Sequence, residues 1–199
     1  MTAVSTAGTA PRPRSHTRSR LRARLVLAAL SACGLAALAW VSFVNPLPRL
    51  TYNPSDSVAV GWYRVDPLDH RASSPPPPLH VGSIVLVPLP AEAAALAAQR
   101  GYLPTRIPLL KRVGAVAPQD VCIAEGSVRI DGVPLAAVLP ADRWGRPLPS
   151  WPQCRRLRPG ELFLLSITNP ASFDSRYFGP VSAAAVIGVA RPVWLESRP

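Results

Sequence analysis

The hydrophobic positions of the chain follow two patterns, a continuous apolar run near the N-terminus and short alternating segments after it. Residues 25–44 carry no charged side chain over about 20 positions, the length of α-helix that crosses a bilayer. Trp40 lies near the end of this run, where an aromatic side chain at the membrane interface is typical. The run has no polar face, which argues against a buried helix of a soluble domain. The pattern therefore predicts one transmembrane helix.

A cleaved signal peptide is the main alternative for the same segment, because it also begins with basic residues and continues with apolar ones. The run at 25–44 is longer than the usual apolar region of a signal peptide. Asn45 and Pro46 follow it without an evident small-residue cleavage site. We therefore expect a retained anchor.

Beyond the anchor, apolar and β-branched runs separated by turn residues predict short strands. The expected strands cover residues 61–65, 81–87, 109–116, 120–123, 127–130, 162–167 and 183–189. The pair Asp131-Gly132 predicts a hairpin turn. Residues 91–100 are alanine-rich and predict a short helix ended by Gly101, whereas residues 66–80, with four consecutive prolines, predict an exposed loop. The pattern indicates a mainly β domain with one short helix and long loops.

The net charge of +11 is concentrated at one end of the chain. Residues 1–24 hold six arginines and no acidic residue. A basic flank in front of a membrane span predicts a cytoplasmic N-terminus and an exported remainder. We therefore interpret the charge as a determinant of membrane orientation and expect no nucleic-acid binding. The expected organisation is a basic tail (1–24), an anchor (25–44) and an exported domain (45–199).

The three cysteines differ in their expected environments. Cys33 lies inside the predicted span and is expected to be an inert small residue. Cys122 and Cys154 lie in the exported part, where a disulfide can form and persist, so we expect them to be bridged; two separate buried thiols are the alternative. The sequence has no C-x-x-C motif and no cysteine–histidine cluster, so it implies no zinc site.

Lysine is used once in this chain, because Lys111 is the only lysine among 22 basic residues. An arginine stays charged in proteins, while a lysine removed from water can become a neutral amine. Lys111 follows the apolar segment 107–110, which could remove it from water. Its residue type and neighbours are equally compatible with a general base and with a solvated lysine at a strand end.

The sequence disfavours a serine–histidine–aspartate triad as the way in which a nucleophilic hydroxyl is activated. His16 lies in the basic tail, and His70 and His80 flank the proline-rich segment. No G-x-S-x-G motif occurs. A serine–lysine pair remains among the known ways of activating a hydroxyl group.

Three segments carry a family resemblance. Residues 53–64 read NPSDSVAVGWYR, residues 111–115 read KRVGA with Asp120 downstream, and residues 172–180 read SFDSRYFGP. In this order behind an N-terminal anchor, they resemble the sequence boxes of bacterial type I signal peptidases, most closely the TraF-type peptidases of conjugative transfer. The resemblance runs from residue 45 to residue 195.

The resemblance implies a catalytic dyad. Ser57 matches the nucleophile that attacks the scissile carbonyl, and Lys111 matches the base that takes its proton. Ser55 matches a position whose hydroxyl contributes to the oxyanion hole in some members. Ala59 departs from the family pattern, which usually has proline there, and this loosens the turn expected to present Ser57.

The third segment supplies supporting residues in the same comparison. Ser172 matches a serine that orients the lysine. Asp174 and Arg176 match a pair that ties this segment into the fold near the lysine. A structural ion pair with Arg176 is favoured over direct proton transfer by Asp174.

The function implied by the resemblance is a membrane-anchored serine endopeptidase without metal or cofactor. Its expected partners are the lipid bilayer, other components of a conjugation system and an exported precursor protein bound as an added strand. The TraF-type similarity narrows the precursor to a conjugative pilin, cleaved with or without cyclisation. The expected location is the bacterial inner membrane, single-pass, with the catalytic domain in the periplasm.

Two other functions remain open at this point. The first is a general type I signal peptidase that removes signal peptides from many secreted preproteins. The second is a non-enzymatic, membrane-tethered scaffold of a secretion or conjugation system, in which the three segments serve folding only. Ala59 is the feature that favours the scaffold.

Overall fold

The structure is a computed structural model in which the chain forms two compact units, residues 1–46 and residues 47–199. It describes residues 16–44, 49–68 and 78–197. The predicted basic tail lies outside the described residues up to position 15, as do the junction 45–48 and positions 69–77 of the predicted proline-rich loop.

The described part of the first unit is one helix, α1 (His16–Val44). A stretch of 21 residues, Arg20–Trp40, is long and apolar enough to cross a membrane, and its side chains are exposed within the unit. A signal sequence near an N-terminus has the same length and composition. The helix begins inside the predicted basic tail, because arginine, leucine and alanine all favour helix.

The described part of the second unit consists of eleven strands, two short helices and a 3-10 turn. In chain order the elements are β1 (Arg49–Asn53), β2 (Gly61–Pro67), β3 (Ile84–Val87), α2 (Ala91–Gln99), β4 (Leu109–Val116), β5 (Asp120–Ala124), β6 (Ser127–Ile130), β7 (Val133–Ala137), β8 (Cys154–Arg156), β9 (Glu161–Leu164), α3 (Ser175–Phe178), β10 (Val181–Ser182) and β11 (Gly188–Leu195). The mainly β fold class predicted from the sequence is confirmed.

The strands form two sheets. The larger sheet has seven strands in the order β1-β2-β11-β3-β4-β9-β10, and the smaller has four in the order β7-β6-β5-β8. Neighbouring strands are antiparallel throughout. Strand β4 lies inside the larger sheet between β3 and β9, so both edges of its backbone are paired.

Alternating burial along the strands places apolar side chains in the interior. In β2, Tyr63 and Val65 are buried while Trp62 and Arg64 are exposed. One core cluster of the larger sheet contains Val58, Tyr63, Val65, Leu86, Leu110 and Ala190. A second contains Val85, Val87, Val113, Leu162, Leu164, Val181 and Val186.

The smaller sheet packs on the larger one through Phe163, which shares a core cluster with Val121 and Val128. β6 and β7 form the predicted hairpin, and Asp131 and Gly132 both have positive φ, as a two-residue hairpin turn requires. Cys122 of β5 and Cys154 of β8 are paired residues of adjacent strands and are joined by a disulfide. Cys33 is a free, exposed cysteine in α1.

The prediction of a strand over residues 162–167 was wrong at its C-terminal end. β9 ends at Leu164, and the N–H of Ser166 donates to a carboxylate oxygen of Asp174 at 3.0 Å. A side chain eight positions away in the sequence thus replaces the neighbouring strand as hydrogen-bond partner.

The prediction of one strand over residues 183–189 was also wrong. Residues Ala183–Ala185 form a 3-10 turn between β10 and β11. The hydroxyl of Ser182 accepts the N–H of Ala184 at 3.2 Å and so begins the turn.

Four strands for which the hydrophobic pattern gave no bounds are β1, β7, β8 and β10. β1 and β7 lie at the edges of their sheets and are largely exposed on both faces, so no apolar alternation marks them. Pro134 in β7 is compatible with an edge strand, where one side of the backbone needs no partner.

Candidate active site

Ser57 lies in the loop between β1 and β2 and is buried. The two strands end their pairing at Asn53 and Gly61, so residues 54–60 form the connection. Val58 in this loop packs into the core beside Tyr63. This apolar contact draws the loop inward and buries the neighbouring Ser57 with it.

Ser57 takes part in a short chain of hydrogen bonds with two other residues of its segment. Its hydroxyl oxygen lies 2.8 Å from that of Ser55. The Ser55 hydroxyl donates to the amide oxygen of Asn53 at 2.8 Å. Asn53 is buried at the end of β1, so the chain begins on a strand of the larger sheet and ends on Ser57.

The position of Ala59, where the family pattern has proline, is held by hydrogen bonds. The carbonyl oxygen of Ala59 accepts from the Asn53 side-chain amide at 3.1 Å and from the Tyr63 hydroxyl at 2.6 Å. Both donors belong to residues of the larger sheet. Two tertiary contacts therefore constrain the turn at this residue.

Lys111 lies in the middle of β4, and 2% of its surface is exposed. Neighbouring strand residues point to opposite faces, so Leu110 packs into the core beside Tyr63 while Lys111 faces the other side. Across the sheet, Lys111 is paired with Val85 of β3. The Lys111 ammonium group donates to the hydroxyl of Ser172.

The surroundings of Lys111 favour its neutral form. Burial lowers the pKa of Lys111 from 10.5 to about 8, because an ammonium group loses hydration there. The Asp174 carboxylate partly opposes this decrease, and the Arg176 guanidinium adds to it. With a pKa of about 8, about a tenth of the amine is neutral at pH 7, against less than about a thousandth for an ordinary lysine.

Asp174 and Arg176 form a fully buried ion pair at helix α3. Nε of Arg176 lies 2.8 Å from Oδ1 of Asp174, and Nη2 lies 2.8 Å from Oδ2, so the contact is bidentate. Asp174 also accepts the N–H groups of Arg176 and Ser166, at 3.3 and 3.0 Å. These contacts agree with the interpretation of Asp174 as a structural ion-pair partner.

Arg176 also holds the loop that carries Ser172. Its guanidinium donates at 2.8 to 3.4 Å to the carbonyl oxygens of Ala137, Ser166, Asn169, Pro170 and Ser172. Four of these carbonyl groups lie between β9 and α3 and the fifth, that of Ala137, ends β7, so one buried cation fixes the backbone from β9 to α3 and ties it to the smaller sheet. Besides its effect on the pKa of Lys111, Arg176 therefore holds the loop from which Ser172 contacts Lys111.

Gly114 allows this loop to approach β4. An added side chain at residue 114 would place its Cβ 2.7 Å from Cβ of Leu165. The pairing of β4 with β9 is irregular at the same point, between Val113 and Ala115. Glycine is needed here because the two strands are too close for any side chain.

One cavity of about 420 Å³ brings the predicted residues together. Ser55, Ser57, Lys111 and Ser172 all line it. Asp174 and Arg176 are fully buried and support this cavity without being part of its lining. The disulfide pair predicted from the sequence belongs to the smaller sheet and is not part of the lining either.

Aromatic residues and Asp142, which is ion-paired with Arg146, form another part of the cavity wall. Tyr102, Trp144 and Phe173 line it, and their rings are in contact through Tyr102. The Tyr102 hydroxyl donates to Asp142, whose Oδ2 lies 2.7 Å from Nε of Arg146. These contacts join the segment after α2 to the loop before β8.

Asp142 remains ionised in this arrangement. Desolvation raises its pKa, but hydrogen bonds from Tyr102, Arg146 and the Trp144 N–H outweigh that effect and hold the pKa of Asp142 below its ordinary value. A carboxylate stabilised in this way is not available as a proton donor. Sequence reasoning did not identify Asp142, because its partner Tyr102 is 40 residues away.

Asn53 is the other site residue whose role the sequence did not indicate. It belongs to the segment that carries the resemblance, but its contacts depend on the conformation of the following turn.

Among the described residues, no group of three or more histidine, cysteine, aspartate or glutamate side chains is placed to hold a metal ion.

Comparison with known proteins identifies relatives over nearly the whole chain. The family model described as "Signal peptidase, peptidase S26" matches residues 22–195. The plasmid transfer protein TraF of Escherichia coli is 30% identical over 190 residues, which cover 90% of this chain and 98% of that protein. The conjugal transfer protein TraF of Agrobacterium fabrum (strain C58 / ATCC 33970) is 34% identical over 180 residues, covering 86% and 96%. The resemblance predicted from the sequence is confirmed.

A solved structure is also similar. The crystal structure of a signal peptidase I from Enterococcus faecalis V583 matches with a TM-score of 0.34 and 21% sequence identity. The match covers 57% of this chain and 97% of that one.

Proposed function

Since this chain belongs to the signal peptidase family, peptidase S26, we propose that it is a membrane-anchored serine endopeptidase with Ser57 as nucleophile and Lys111 as general base. The observation that carries the proposal is the placement of these two buried side chains on one cavity, together with the pKa of Lys111 near 8. A lysine whose amine is partly neutral at physiological pH can accept a proton. The apolar helical stretch Arg20–Trp40, the one candidate span among the described residues, supports the anchor.

In the proposed reaction, the neutral amine of Lys111 takes the hydroxyl proton of Ser57 as Oγ attacks the scissile carbonyl carbon. The carbonyl oxygen becomes an oxyanion. Collapse of this intermediate breaks the C–N bond, and the Lys111 ammonium returns the proton to the departing amine. The acyl group then remains on Ser57 as an ester, and the amine of Lys111 is neutral again.

The second half of the reaction uses the same groups. Lys111 removes a proton from water, the resulting nucleophile attacks the ester, and the proton returns to Ser57 Oγ as the acid product leaves. An amine of the substrate in place of water would give a new peptide bond and a cyclic product. The backbone N–H of Ser57 and the hydroxyl of Ser55 are the proposed donors to the oxyanion in both halves.

The substrate that we propose is an exported precursor protein, and specifically a conjugative pilin precursor. Relatives described as plasmid or conjugal transfer proteins, which this chain resembles over 86–90% of its length, support the narrower assignment. The proposed topology has the N-terminus in the cytoplasm and the catalytic domain in the periplasm, with the anchor in the bacterial inner membrane. Six arginines before the anchor support this orientation.

Peptide cleavage tests the dyad directly. The detergent-solubilised protein would be incubated with a quenched fluorescent peptide that carries alanine at the first and third positions before the scissile bond. We expect cleavage by the wild type and none by Ser57→Ala, with Ser150→Ala, an exposed serine outside the cavity lining, as matched control. Equal cleavage by wild type and Ser57→Ala would rule the nucleophile out.

Lys111→Arg tests the base. Arginine retains the positive charge but stays protonated, so it cannot act as a base. General base catalysis typically contributes about 10²–10⁴-fold, and we therefore expect turnover to fall by at least about 10³-fold. The neighbouring exposed residue provides the reverse substitution, Arg112→Lys, which should leave turnover within about twofold. Circular dichroism would show whether both variants are folded. Near-normal turnover in folded Lys111→Arg would contradict the proposal.

Co-expression with precursors distinguishes the narrow substrate from a broad one. Cells would carry the enzyme with a candidate pilin precursor or with an unrelated secreted preprotein, and product masses would be measured. Cleavage of the pilin alone supports the conjugative role, while cleavage of both supports a general signal peptidase. A product that is one water lighter than the linear chain shows cyclisation.

A further inference from the structure

The buried side chain of Asn53 has no role in the proposed dyad, yet it contacts most of the turn that carries Ser57. Its amide nitrogen lies 2.8 Å from the carbonyl oxygen of Ser55 and 3.1 Å from those of Val58 and Ala59. Its amide oxygen accepts the N–H of Ser55 at 3.3 Å and the hydroxyl of Ser55 at 2.8 Å. Five contacts are more than a residue needs merely to end a strand.

The orientation of the amide follows from its partners. Carbonyl oxygens only accept hydrogen bonds, so the NH₂ group of Asn53 must face the three carbonyls. The amide oxygen is therefore directed at Ser55. The flipped amide would place an oxygen against three carbonyl oxygens and an NH₂ group against the N–H of Ser55, so only the Ser55 hydroxyl, as an acceptor, could still pair with it.

This orientation fixes the direction of the adjoining hydroxyl groups. A serine hydroxyl has one hydrogen to donate, and that of Ser55 goes to Asn53. In the 2.8 Å contact between the two serines, Ser57 must then be the donor and Ser55 the acceptor. The order of donation in the resting site is Ser57 to Ser55 to Asn53.

We propose that Asn53 is a positioning residue of the peptidase: its bonds to the N–H and the carbonyl oxygen of Ser55 persist through the reaction and keep the Ser55 hydroxyl within reach of the oxyanion. The proposal rests on the Ser57–Lys111 function. When Lys111 takes the Ser57 proton, Ser55 loses the hydrogen bond that it accepted from Ser57. The Ser55 hydroxyl hydrogen then leaves the neutral amide oxygen of Asn53 and binds the charged oxyanion of the substrate. Bonds to an ionised acceptor are roughly twice as strong as neutral ones, so the exchange favours the transition state over the ground state.

A double-mutant cycle separates this role from simple support of the turn. Asn53→Ala would be combined with Ser55→Ala, and single-turnover cleavage of the quenched peptide would be measured with excess enzyme. We expect each single variant to lose about 10²- to 10³-fold in the maximal rate of cleavage, the range for an oxyanion donor, with little change in the enzyme concentration that gives half of that rate. In the double variant, we expect Asn53→Ala to cost less than about threefold beyond Ser55→Ala.

Ser55→Thr and Tyr63→Phe complete the design. Threonine retains the hydroxyl, so Asn53→Ala in that background should again show its full loss. Tyr63→Phe removes a different hydrogen bond to the same turn, at Ala59, without contact to either serine, so its effect should be the same with or without the Ser55 hydroxyl. It serves as the matched control for a loosened turn.

The outcomes are distinct. If Asn53→Ala costs the same factor in the wild type and in the Ser55→Ala variant, Asn53 supports the turn only and the inference is overturned. If the wild type fails to cleave the peptide and Ser57→Ala makes no difference, the proposed function itself fails. Thermal unfolding of each variant would identify any loss of rate caused by loss of fold.

Discussion

At the scale of single residues, the burial of Lys111 and its proposed role as the base each predict an effect of pH. The amine can act as a base only when neutral, so the ammonium form is inactive. We expect log(kcat/KM) to rise by about one per pH unit below pH 8 and to level off near the pKa of about 8. A rate profile from pH 5 to 10 with the quenched peptide would measure it. A profile that is flat from pH 6 to 8 would contradict Lys111 as the base.

The same pKa decrease predicts how stability depends on pH. The folded-state pKa of Lys111, about 8, lies below its unfolded value of 10.5, so the unfolded chain binds more protons between these values. Stability should therefore rise with pH through this window, by about 3 kcal/mol in total. Below pH 8 the full cost of burying the ammonium remains.

Lys111→Met is the variant that isolates this contribution. It retains a long apolar side chain without a titrating group, so its free energy of unfolding should not share the rise between pH 8 and pH 10.5. Urea titrations of both proteins at intervals over that range would give the difference. Parallel pH dependences would show that Lys111 has an ordinary pKa in the folded protein.

At the scale of structural elements, helix α3 depends on the buried pair of Asp174 and Arg176. Asp174→Asn leaves the guanidinium without its counter-ion in the interior, which costs about 3–5 kcal/mol when a buried pair is broken. Glu125→Gln breaks the exposed pair with Arg129 and should cost less than about 1 kcal/mol. Denaturant unfolding would compare the two. Similar small losses in both variants would contradict a structural role for the buried pair.

The elements also show which parts of the fold the sequence could predict. β4 and β6 were predicted at their observed bounds, because apolar residues dominate these internal segments. α3 was not predicted, because a helix of four residues is too short to show a helical period. The early end of β9 depends on Asp174, a contact that only the tertiary fold creates.

Some residues of the candidate site could likewise be selected from the sequence, and others could not. Ser57 and Lys111 could be selected from the sequence, since a lone lysine and three spaced segments mark them. Their placement on one cavity could not, because it requires the loop after β1 and the middle of β4 to meet. Asn53 and Asp142 were missed, because hydrogen bonds of asparagine and aspartate follow from backbone geometry that residue order alone does not give.

At the scale of the whole molecule, a covalent bond holds the smaller sheet together. Cys122 and Cys154 are separated by 32 residues. By closing this loop, the disulfide lowers the conformational entropy of the unfolded chain and so stabilises the folded state by about 3–4 kcal/mol. We expect the variant with Cys122→Ser and Cys154→Ser to lose about that much stability. It should still cleave peptide at low temperature, because Ser57 and Lys111 lie with the larger sheet.

Mass spectrometry and calorimetry would test the crosslink. Alkylation of the unreduced protein should leave both cysteines unmodified, and the serine variant should unfold at a lower temperature. Modification of Cys122 and Cys154 without reductant would show that the pair is open. An unchanged Tm would show that the crosslink does not stabilise the fold.

The solitary ε-amino group makes the protein its own spectroscopic probe. Reductive methylation with carbon-13 formaldehyde would label one lysine side chain and the α-amino group of the chain, and formaldehyde is small enough to enter a space of about 420 Å³. The Lys111→Arg variant retains only the α-amino signal and so assigns that of the lysine. The chemical shift of the resulting dimethylamine follows its protonation. A nuclear magnetic resonance titration of that signal could then follow proton uptake at Lys111, and no other lysine would contribute a signal.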